Sequence, residues 1–365
     1  MNIRERIEER EDMILSPYAA RSSMALRDID EEPDPLRTAF QRDRDRIIHS
    51  KCFRRLKHKT QVYIAPGDHY RTRMTHTLEV GQIGRTVARA LRLNEDLVEA
   101  IAMGHDVGHT PFGHVGEYAL RDMVGHFNHN EQSLRMVEVL EKHGNRQGLN
   151  LTKEVRDGIL GHTGPTIPST LEGQIIRIVD RIAYLCHDYD DAQRAGMLEA
   201  NDLPEEVRFY FGDTPSSMIT AMVKDMVEQS LDKPAIQMSA DIESTMNIFR
   251  QFMFKNVYLA PALIPDRNKA AHVVKNLFTY FMEHPGDIET YVERNGVYST
   301  VDIDIVESQP LTYAKMNNVL YIVDETGKVI KDENQSWLSY VQRCPEALEF
   351  DEDTLVRFAK NYKKI

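Results

Sequence analysis

Apolar residues recur at helical spacing along most of the chain. One stripe has steps of four, three, four and four and runs through His76, Val80, Ile83, Val87 and Leu91. This period is typical of an amphipathic helix with one buried face. We therefore expect a helix that begins near Thr72 and points His76 towards the core.

A second helix is predicted directly after it. Asn94 is a favourable residue for capping a helix start. Two rows of residues spaced by four follow, namely Leu97, Ile101 and His105, and Val98, Ala102 and Asp106. Gly108, Pro111 and Gly113 interrupt the pattern. The adjacent pair His105-Asp106 is thus expected at the buried carboxyl end of this helix.

The remaining pattern predicts a helical chain with a different carboxyl-terminal region. Further helices are expected at about 36–56, 115–124, 130–142, 152–160, 171–194, 216–227 and 269–283. The alternating segments 319–323 and 328–330 flank Asp324-Glu325-Thr326-Gly327 and predict a β-hairpin. The expected fold class is an all-α core with a small mixed α/β carboxyl-terminal region. The expected divisions are an amino-terminal arm at 1–35, a helical domain at 36–285 and a carboxyl-terminal region at 286–365.

Composition indicates a folded protein of a reducing compartment. The 365 residues are 41% hydrophobic and 28% charged, which is ordinary for a globular chain. No apolar run approaches the roughly 20 residues that cross a bilayer, and the segment 1–6 is unlike a secretory signal. Cys52, Cys186 and Cys344 are scattered. We expect a cytoplasmic protein without a membrane partner.

Charge is distributed unevenly. The net charge of -12 disfavours a protein whose whole surface binds nucleic acid, so such binding is not indicated. The segment 42–59, however, has eight basic and two acidic residues, a local charge of +6. Such a segment suits a compact polyanion such as a triphosphate. The alternative, with equal weight for this segment alone, is that these charges form the solvated face of a helix.

Four residues on three predicted inward faces suggest a metal site: His76, His105, Asp106 and Asp180. Imidazole nitrogens and carboxylate oxygens together suit divalent manganese, iron, zinc or nickel. A buried carboxylate costs several kcal/mol unless a cation compensates it, and Asp180 ends the apolar run 174–179. A single inward histidine is more often a hydrogen-bonded core residue, and a single His-Asp dipeptide is weak evidence.

Several strings together resemble the dNTP triphosphohydrolases, the dGTPase-like branch of the HD superfamily. The longest is HDVGHTPFGHVGE at 105–117. Others are RDRIIH at 44–49, FRRLKHKTQV at 53–62, RMTH at 73–76, FNHNEQS at 127–133 and the segment 170–192. The similarity is strong over residues 36–197 and weak from there to Glu283. The domain 36–285 is thereby interpreted as an HD-type phosphohydrolase domain.

The resemblance implies one divalent metal ion (manganese, magnesium, iron, nickel or zinc) held by His76, His105, Asp106 and Asp180. It also implies an enzyme that hydrolyses a deoxynucleoside triphosphate to the deoxynucleoside and tripolyphosphate. A metal-bound water attacks the α-phosphorus in that family. A cation that acidifies water and offsets phosphate charge is chemically suited to this reaction.

Further roles follow from the same resemblance. His114 matches the proton donor for the leaving 5′-oxygen. Glu117 lies one helical turn away, where it could hold that imidazole. His109 and His129 match further catalytic histidines near the α-phosphate. The alternative for these two is a supporting role behind the residues that contact substrate, or simple capping.

The substrate-binding residues implied are Gln61, Tyr184 and Asp188 at the sugar, and Arg55, Lys59 and Arg73 at the triphosphate. Asp180, Tyr184 and Asp188 share one helix stripe. In the family the tyrosine excludes a 2′-hydroxyl and the aspartate accepts from the 3′-hydroxyl. Without the resemblance, Tyr184 would be interpreted as core and Asp188 as a surface charge.

The chain departs from the family near its end. A segment resembling Asp-Tyr-Ile-Ala-Gly-Met-Thr-Asp is not found, and 291–365 looks unlike the family tail. Base preference and assembly therefore stay open, although the resemblance implies a homo-oligomer, often a hexamer, and allows a nucleotide effector. The alternatives are another HD phosphohydrolase (a 5′-nucleotidase or a cyclic-nucleotide phosphodiesterase) and a non-catalytic sensor that binds dNTP or single-stranded nucleic acid.

Overall fold

The structure, a computed structural model, describes residues 1–62, 70–144 and 146–284 and the backbone of four short strands beyond them. The α-helices are α1 (Ile3–Ile14), α2 (Ala39–Ile48), α3 (Lys51–Arg55), α4 (Arg73–Ala90), α5 (Glu95–His105), α6 (His114–Val124), α7 (His129–Arg135), α8 (Lys153–Gly161), α9 (Leu171–Arg194), α10 (Glu205–Phe211), α11 (Pro215–Ser230), α12 (Ala240–Met253) and α13 (Ile264–Glu283). The strands are β1 (Lys142–His143), β2 (Arg146–Gln147), β3 (Ile303–Ile305), β4 (Tyr313–Met316), β5 (Val319–Val323) and β6 (Val329–Ile330). The predicted fold class, a helical core with a small β region, is confirmed.

The helices that carry the predicted site begin where the capping residues indicate. The Thr72 hydroxyl accepts from the Thr75 N–H at the start of α4. The Asn94 side chain accepts from the Leu97 N–H, 3.2 Å away, at the start of α5. Each cap satisfies a backbone donor that the first helical turn leaves unpaired.

Two predicted helices are interrupted. The helix expected at 36–56 is divided between α2 and α3, because the Ser50 hydroxyl accepts from the Phe53 N–H and starts a new helix. The helix expected at 130–142 continues from α7 as a wider π-helical turn over Met136–Leu140 and then gives way to β1.

Three helices were not predicted. They are α1, α10 and α12, and the first lies within the segment expected to be an arm. The pattern of α12 is detectable, because Ile242, Met246, Phe249 and Met253 recur at steps of four, three and four and are buried. The prediction was therefore incomplete where a usable signal existed.

Helix α5 lies at the centre of the core. It packs against α2, α4, α8 and α9. Leu97, Ile101 and His105 on its buried face have no exposed surface. The carboxyl end of α5 is therefore enclosed on several sides, which places His105 and Asp106 in the middle of the molecule.

The amino-terminal segment is tied to this core through a buried carboxylate. Glu172, at the start of α9, accepts from the backbone N–H groups of Ala20 and Asn94, at 3.0 and 2.9 Å. These bonds join the segment before α2 to α5 and α9. The three domain divisions stay a prediction.

The strands beyond α13 form one antiparallel sheet in the order β3-β4-β5-β6. In it Ile322 is opposite Ile330 and Val323 is opposite Val329. The predicted turn at 324–327 lies outside the described residues. Among the helices that the structure describes, none combines the length and apolar character needed to cross a membrane.

Candidate active site

The four predicted metal ligands come together from α4, α5 and α9. The His76 Nε2 atom lies 3.0 Å from the Asp180 Oδ1 atom. The His105 Nε2 atom lies 3.6 Å from Asp106 Oδ1 and 3.8 Å from Asp180 Oδ1. His76, His105 and Asp106 are buried, whereas about one-fifth of the Asp180 side chain (20%) is exposed. Solvent therefore reaches the cluster from the side of Asp180.

The donor atoms of this cluster fit a divalent transition-metal ion. The His105 Nδ1–H donates to the Ala102 carbonyl, 2.7 Å away, so the tautomer leaves a lone pair on Nε2. That buried Nε2 atom finds no hydrogen-bond partner among the described residues. A buried polar atom of this kind is costly unless it has a partner. Two imidazoles and two carboxylates together form a common ligand set for borderline cations.

The charged groups around the cluster lower the pKa values of its two carboxyl groups. Burial by itself would raise the pKa of Asp180, but the hydrogen bond from His76 and the nearby His105 hold that pKa well below its usual range. Burial would likewise raise the pKa of Asp106, but the charges of Arg73 and of the neighbouring histidines together hold that pKa far below its usual range. Both carboxyl groups are thus ionised and suited to a cation.

The loop after α5 fixes the position of this cluster. A Cβ atom on Gly108 would lie 2.1 Å from the Ser133 backbone nitrogen, so only glycine allows the loop to approach α7 this closely. The Ser133 hydroxyl donates to the His105 carbonyl at 2.7 Å and accepts from the Gly108 N–H at 2.9 Å. The string at 105–117 therefore orients the metal-ligand pair through α7.

The predicted catalytic residues form a second cluster beside the first. Glu117 accepts from His114 Nδ1 at 2.8 Å and lies 3.3 Å from His129 Nδ1. Despite its burial, these two contacts hold the pKa of Glu117 well below its usual range. The His109 ring stacks on the His129 ring, with centroids 3.9 Å apart, and its Nε2 atom lies 3.4 Å from Asp106 Oδ1. His109 therefore links the two clusters.

Sequence reasoning missed His162, which follows α8. Its Nδ1–H donates to the Ile159 carbonyl at 2.7 Å, and its Nε2 atom lies 3.2 Å from His129 Nε2. Burial lowers the pKa of His162 to about 3, so the ring is neutral. A signal was present, because Val155, Ile159 and His162 follow the same inward spacing that identified His76.

The three predicted triphosphate ligands are not all in one place. Arg73 donates to Asp106 Oδ2 at 2.8 Å in a buried ion pair. Arg55 and Lys59 instead line a neighbouring cavity of about 490 Å³ that also contacts His109. The predicted role of Arg73 thus requires its guanidinium group to contact Asp106 and a substrate phosphate at the same time.

The predicted sugar-binding stripe continues along α9 from Asp180. Tyr184 is half-buried, and Asp188 is buried two turns along from the metal cluster. The hydroxyl of Tyr258, a residue that sequence reasoning missed, donates to Asp188 Oδ2 at 2.7 Å. The second oxygen of Asp188 and the Oε1 atom of Gln61 have no hydrogen-bond partner among the described residues. Within the described part of the chain, both oxygens are therefore left to accept from a ligand.

Asp188 should make folding stability depend on pH. Burial raises its pKa to about 7, against an ordinary value of 3.8. Between these values the native state holds a proton that the unfolded chain has lost, so stability falls as pH rises through this window. In chelator-treated protein, we compare the free energy of unfolding of Asp188→Asn with that of wild type. This difference should be about 4 kcal/mol more in favour of the variant at pH 8.5 than at pH 4. Denaturant-induced unfolding of both proteins at both pH values measures this change. A stability difference between variant and wild type that is the same at both pH values would contradict it.

Comparisons with known proteins add two findings. A family model described as the HD domain matches residues 73–185, and one described as a phosphohydrolase-associated domain matches residues 236–297. The second match includes Tyr258 and extends beyond Glu283.

Curated relatives carry the name deoxyguanosinetriphosphate triphosphohydrolase-like protein. The one from Caldanaerobacter subterraneus subsp. tengcongensis is 55% identical over 287 residues, which cover 78% of this chain and 84% of that protein. The one from Clostridium perfringens (strain 13 / Type A) is 46% identical over 317 residues, covering 82% and 92%. The chain is also similar to a solved structure of a hypothetical protein from Aquifex aeolicus, with 21% identity, a TM-score of 0.43, and coverage of 66% of this chain and 61% of that one.

Proposed function

Because this chain belongs to the HD-domain family of deoxyguanosinetriphosphate triphosphohydrolase-like proteins, we propose that it hydrolyses deoxynucleoside triphosphates to deoxynucleoside and tripolyphosphate. One observation carries this proposal. The cluster of His76, His105, Asp106 and Asp180 lies next to the His114–Glu117 pair and at the start of the Tyr184–Asp188 stripe. Groups suited to activating water, protonating a leaving oxygen and holding a sugar are thus adjacent.

His76, His105, Asp106 and Asp180 would hold one divalent ion, for which manganese, iron, nickel, zinc and magnesium are the candidates. When bound, such an ion makes water more acidic and offsets the charge of phosphoryl oxygens. Arg73 adds a fixed positive charge beside Asp106. His109 and His129 lie between this cluster and Glu117, where they would line the position of the α-phosphate.

His114 would donate the proton that the leaving 5′-oxygen needs. Its Nδ1–H is held by the ionised Glu117, so Nε2 is the atom that faces substrate. The side chain of His114 is 60% exposed, which leaves it accessible to a ligand. An alkoxide is a poor leaving group, and protonation as it departs contributes about 10²–10⁴-fold to such reactions.

Asp188 and Gln61 would accept from sugar hydroxyls, and Tyr184 would occupy the space of a ribose 2′-hydroxyl. This assignment is supported by one oxygen of Asp188 and one of Gln61, which have no hydrogen-bond partner in the part of the chain that the structure describes. Tyr258 keeps the Asp188 carboxyl group in one orientation. Arg55 and Lys59 would contact the outer phosphates from the neighbouring cavity.

We further propose a cytoplasmic homo-oligomer, with a nucleotide effector as an additional ligand. The oligomer and the effector rest on family resemblance alone. The cytoplasmic location is supported by buried thiols at Cys52 and Cys186, which are free cysteines in the structure.

Product analysis tests the proposed function. The purified chain is incubated with each dNTP and with GTP in the presence of Mn²⁺, and the products are separated by ion chromatography. We expect deoxynucleoside and tripolyphosphate from at least one dNTP and at least about 10-fold slower turnover of GTP than of dGTP. Equal turnover of GTP and dGTP would remove the role of Tyr184.

The same assay, run also with nucleoside monophosphates and cyclic nucleotides, separates the alternatives. Orthophosphate released from a nucleoside monophosphate would indicate a 5′-nucleotidase, and a monophosphate formed from a cyclic nucleotide would indicate a phosphodiesterase. Binding of dNTP without any product would indicate a sensor. The His114–Glu117 hydrogen bond favours catalysis, because simple binding does not need an oriented proton donor.

A further inference from the structure

We propose that Arg121, on α6, is a positioning residue for the proton donor: its guanidinium group fixes the Glu117 carboxylate in the direction in which Glu117 holds His114. Arg121 follows Glu117 by one helical turn, and its Nη2 atom lies 3.3 Å from Glu117 Oε1. The inference rests on the proposed function, in which His114 protonates the leaving 5′-oxygen. Arg121 contacts no reacting atom in it and acts through Glu117.

Arg121 binds the Glu117 oxygen that does not accept from His114. Oε2 of Glu117 accepts from His114 Nδ1 at 2.8 Å. Oε1 accepts from the backbone N–H of His129 at 3.1 Å and from Arg121 Nη2 at 3.3 Å. His129 Nδ1 lies 3.3 Å from each of the two oxygens. Rotation of the carboxyl group would weaken both contacts of Oε1, so the direction of Oε2 towards His114 is fixed.

Arg121 is itself held in place by the connection between α6 and α7. Its Nε and Nη2 atoms donate to the Phe127 carbonyl at 3.0 and 2.9 Å, and Nη2 also donates to Asn128 Oδ1 at 2.8 Å. The carbon of its guanidinium group lies 5.5 Å from the centroid of the Tyr118 ring. A guanidinium group is planar and has its donors in fixed directions, so these contacts determine where Nη2 meets Glu117.

The same contacts couple the two histidines that Glu117 holds. His114 is the first residue of α6, and His129 is the first residue of α7. Their ring centroids are 5.6 Å apart, and Glu117 contacts both rings. Arg121 joins Glu117 to the two residues that directly precede His129. It therefore keeps the starts of the two helices, and with them the two rings, at a fixed separation.

The burial of Glu117 gives this ion pair more weight than a pair at the surface. Only 5% of the Glu117 side chain is exposed, against 39% of the Arg121 side chain. Solvent and salt screen a partly buried pair less than an exposed one. Arg121 is also not among the residues that line the cavity of Arg55 and Lys59. Its contacts therefore assign it to Glu117 rather than to the outer phosphates.

A double-mutant cycle tests the inference. Arg121→Met, Glu117→Gln and the double variant are compared with wild type for kcat, KM and bound manganese per chain. Arg121→Met should lower kcat by about 10-fold and leave KM and metal content unchanged, because misplacing a proton donor affects the transition state. Glu117→Gln should lower kcat by about 10²-fold. In that background Arg121→Met should change kcat by less than about 2-fold, since the residue that it holds has lost its charge.

Two further variants serve as controls. Arg121→Lys keeps the charge but not the planar set of donors, so its kcat should lie between those of Arg121→Met and wild type. Arg85→Met removes an arginine of α4 that is 43% exposed and pairs with Glu95 and Glu99. Wild-type kcat is expected in Arg85→Met.

Wild-type kcat in Arg121→Met, a loss of the same size in the Glu117→Gln background, or a rise in KM alone would overturn the inference. Each of these results leaves the proposed function intact if the wild type forms tripolyphosphate. No tripolyphosphate from the wild type would remove both. If Arg121→Met does not fold, as judged by circular dichroism, Arg121→Gln carries the same test, because it removes the charge and keeps an amide donor.

Discussion

Replacing Asp180 by asparagine is expected to lower turnover by about 10³-fold or more, because a catalytic ion supplies several kcal/mol of charge stabilisation and each 1.36 kcal/mol is tenfold in rate. Asparagine keeps the size of the side chain but removes the charge that lies 3.0 Å from His76 and 3.8 Å from His105. Turnover of each dNTP and bound metal per chain are measured on the same sample. Both should fall together.

Asp190→Asn is the matched control. Asp190 lies on the same helix, but its carboxylate pairs with Arg71 and Arg194, away from the cluster. This variant should keep its metal and its turnover. Metal binding should also raise the melting temperature of the wild type and of Asp190→Asn, because a ligand that binds only the native state stabilises it. Normal turnover and normal metal content in Asp180→Asn would exclude Asp180 as a ligand.

Replacing His114 by alanine is expected to lower turnover by about 10²–10⁴-fold and to leave the metal content unchanged. His114 is not among the four proposed metal ligands, and its Nδ1 atom is hydrogen-bonded to Glu117. The loss should appear in kcat more than in KM, since a proton donor acts in the transition state.

His272→Ala is a suitable control for this variant. His272 is an exposed histidine of α13 and is not among the residues that line the cavity of Arg55 and Lys59. Wild-type turnover is expected in that variant. Full activity in His114→Ala would remove the assignment of His114 as proton donor without affecting the metal site.

The helices could be predicted from the sequence where the hydrophobic pattern was long and regular. The bounds of α9 were predicted, and α4 was expected to begin near Thr72, because amphipathic stripes of this length have few alternative structures. Their inward histidine and aspartate residues could therefore be identified as one candidate cluster. Their proximity in the structure follows from the packing of α4 and α9 around α5.

Contacts between remote segments were not predictable in this way. Arg73 was expected at a phosphate, but its ion pair with Asp106 depends on how α4 meets the end of α5. The Tyr258–Asp188 hydrogen bond joins residues 70 positions apart, and no local period indicates it. His162 follows a short helix, so its inward position carried little weight until His129 was seen beside it.

Hydrolysis in ¹⁸O-labelled water tests the central claim most directly, because it reports which bond breaks. The chain is incubated with its preferred dNTP and Mn²⁺, and both products are analysed by mass spectrometry. If water attacks the α-phosphorus, one ¹⁸O atom enters the tripolyphosphate and the deoxynucleoside stays unlabelled. Label in the deoxynucleoside, or labelled orthophosphate in place of tripolyphosphate, would contradict the proposed reaction.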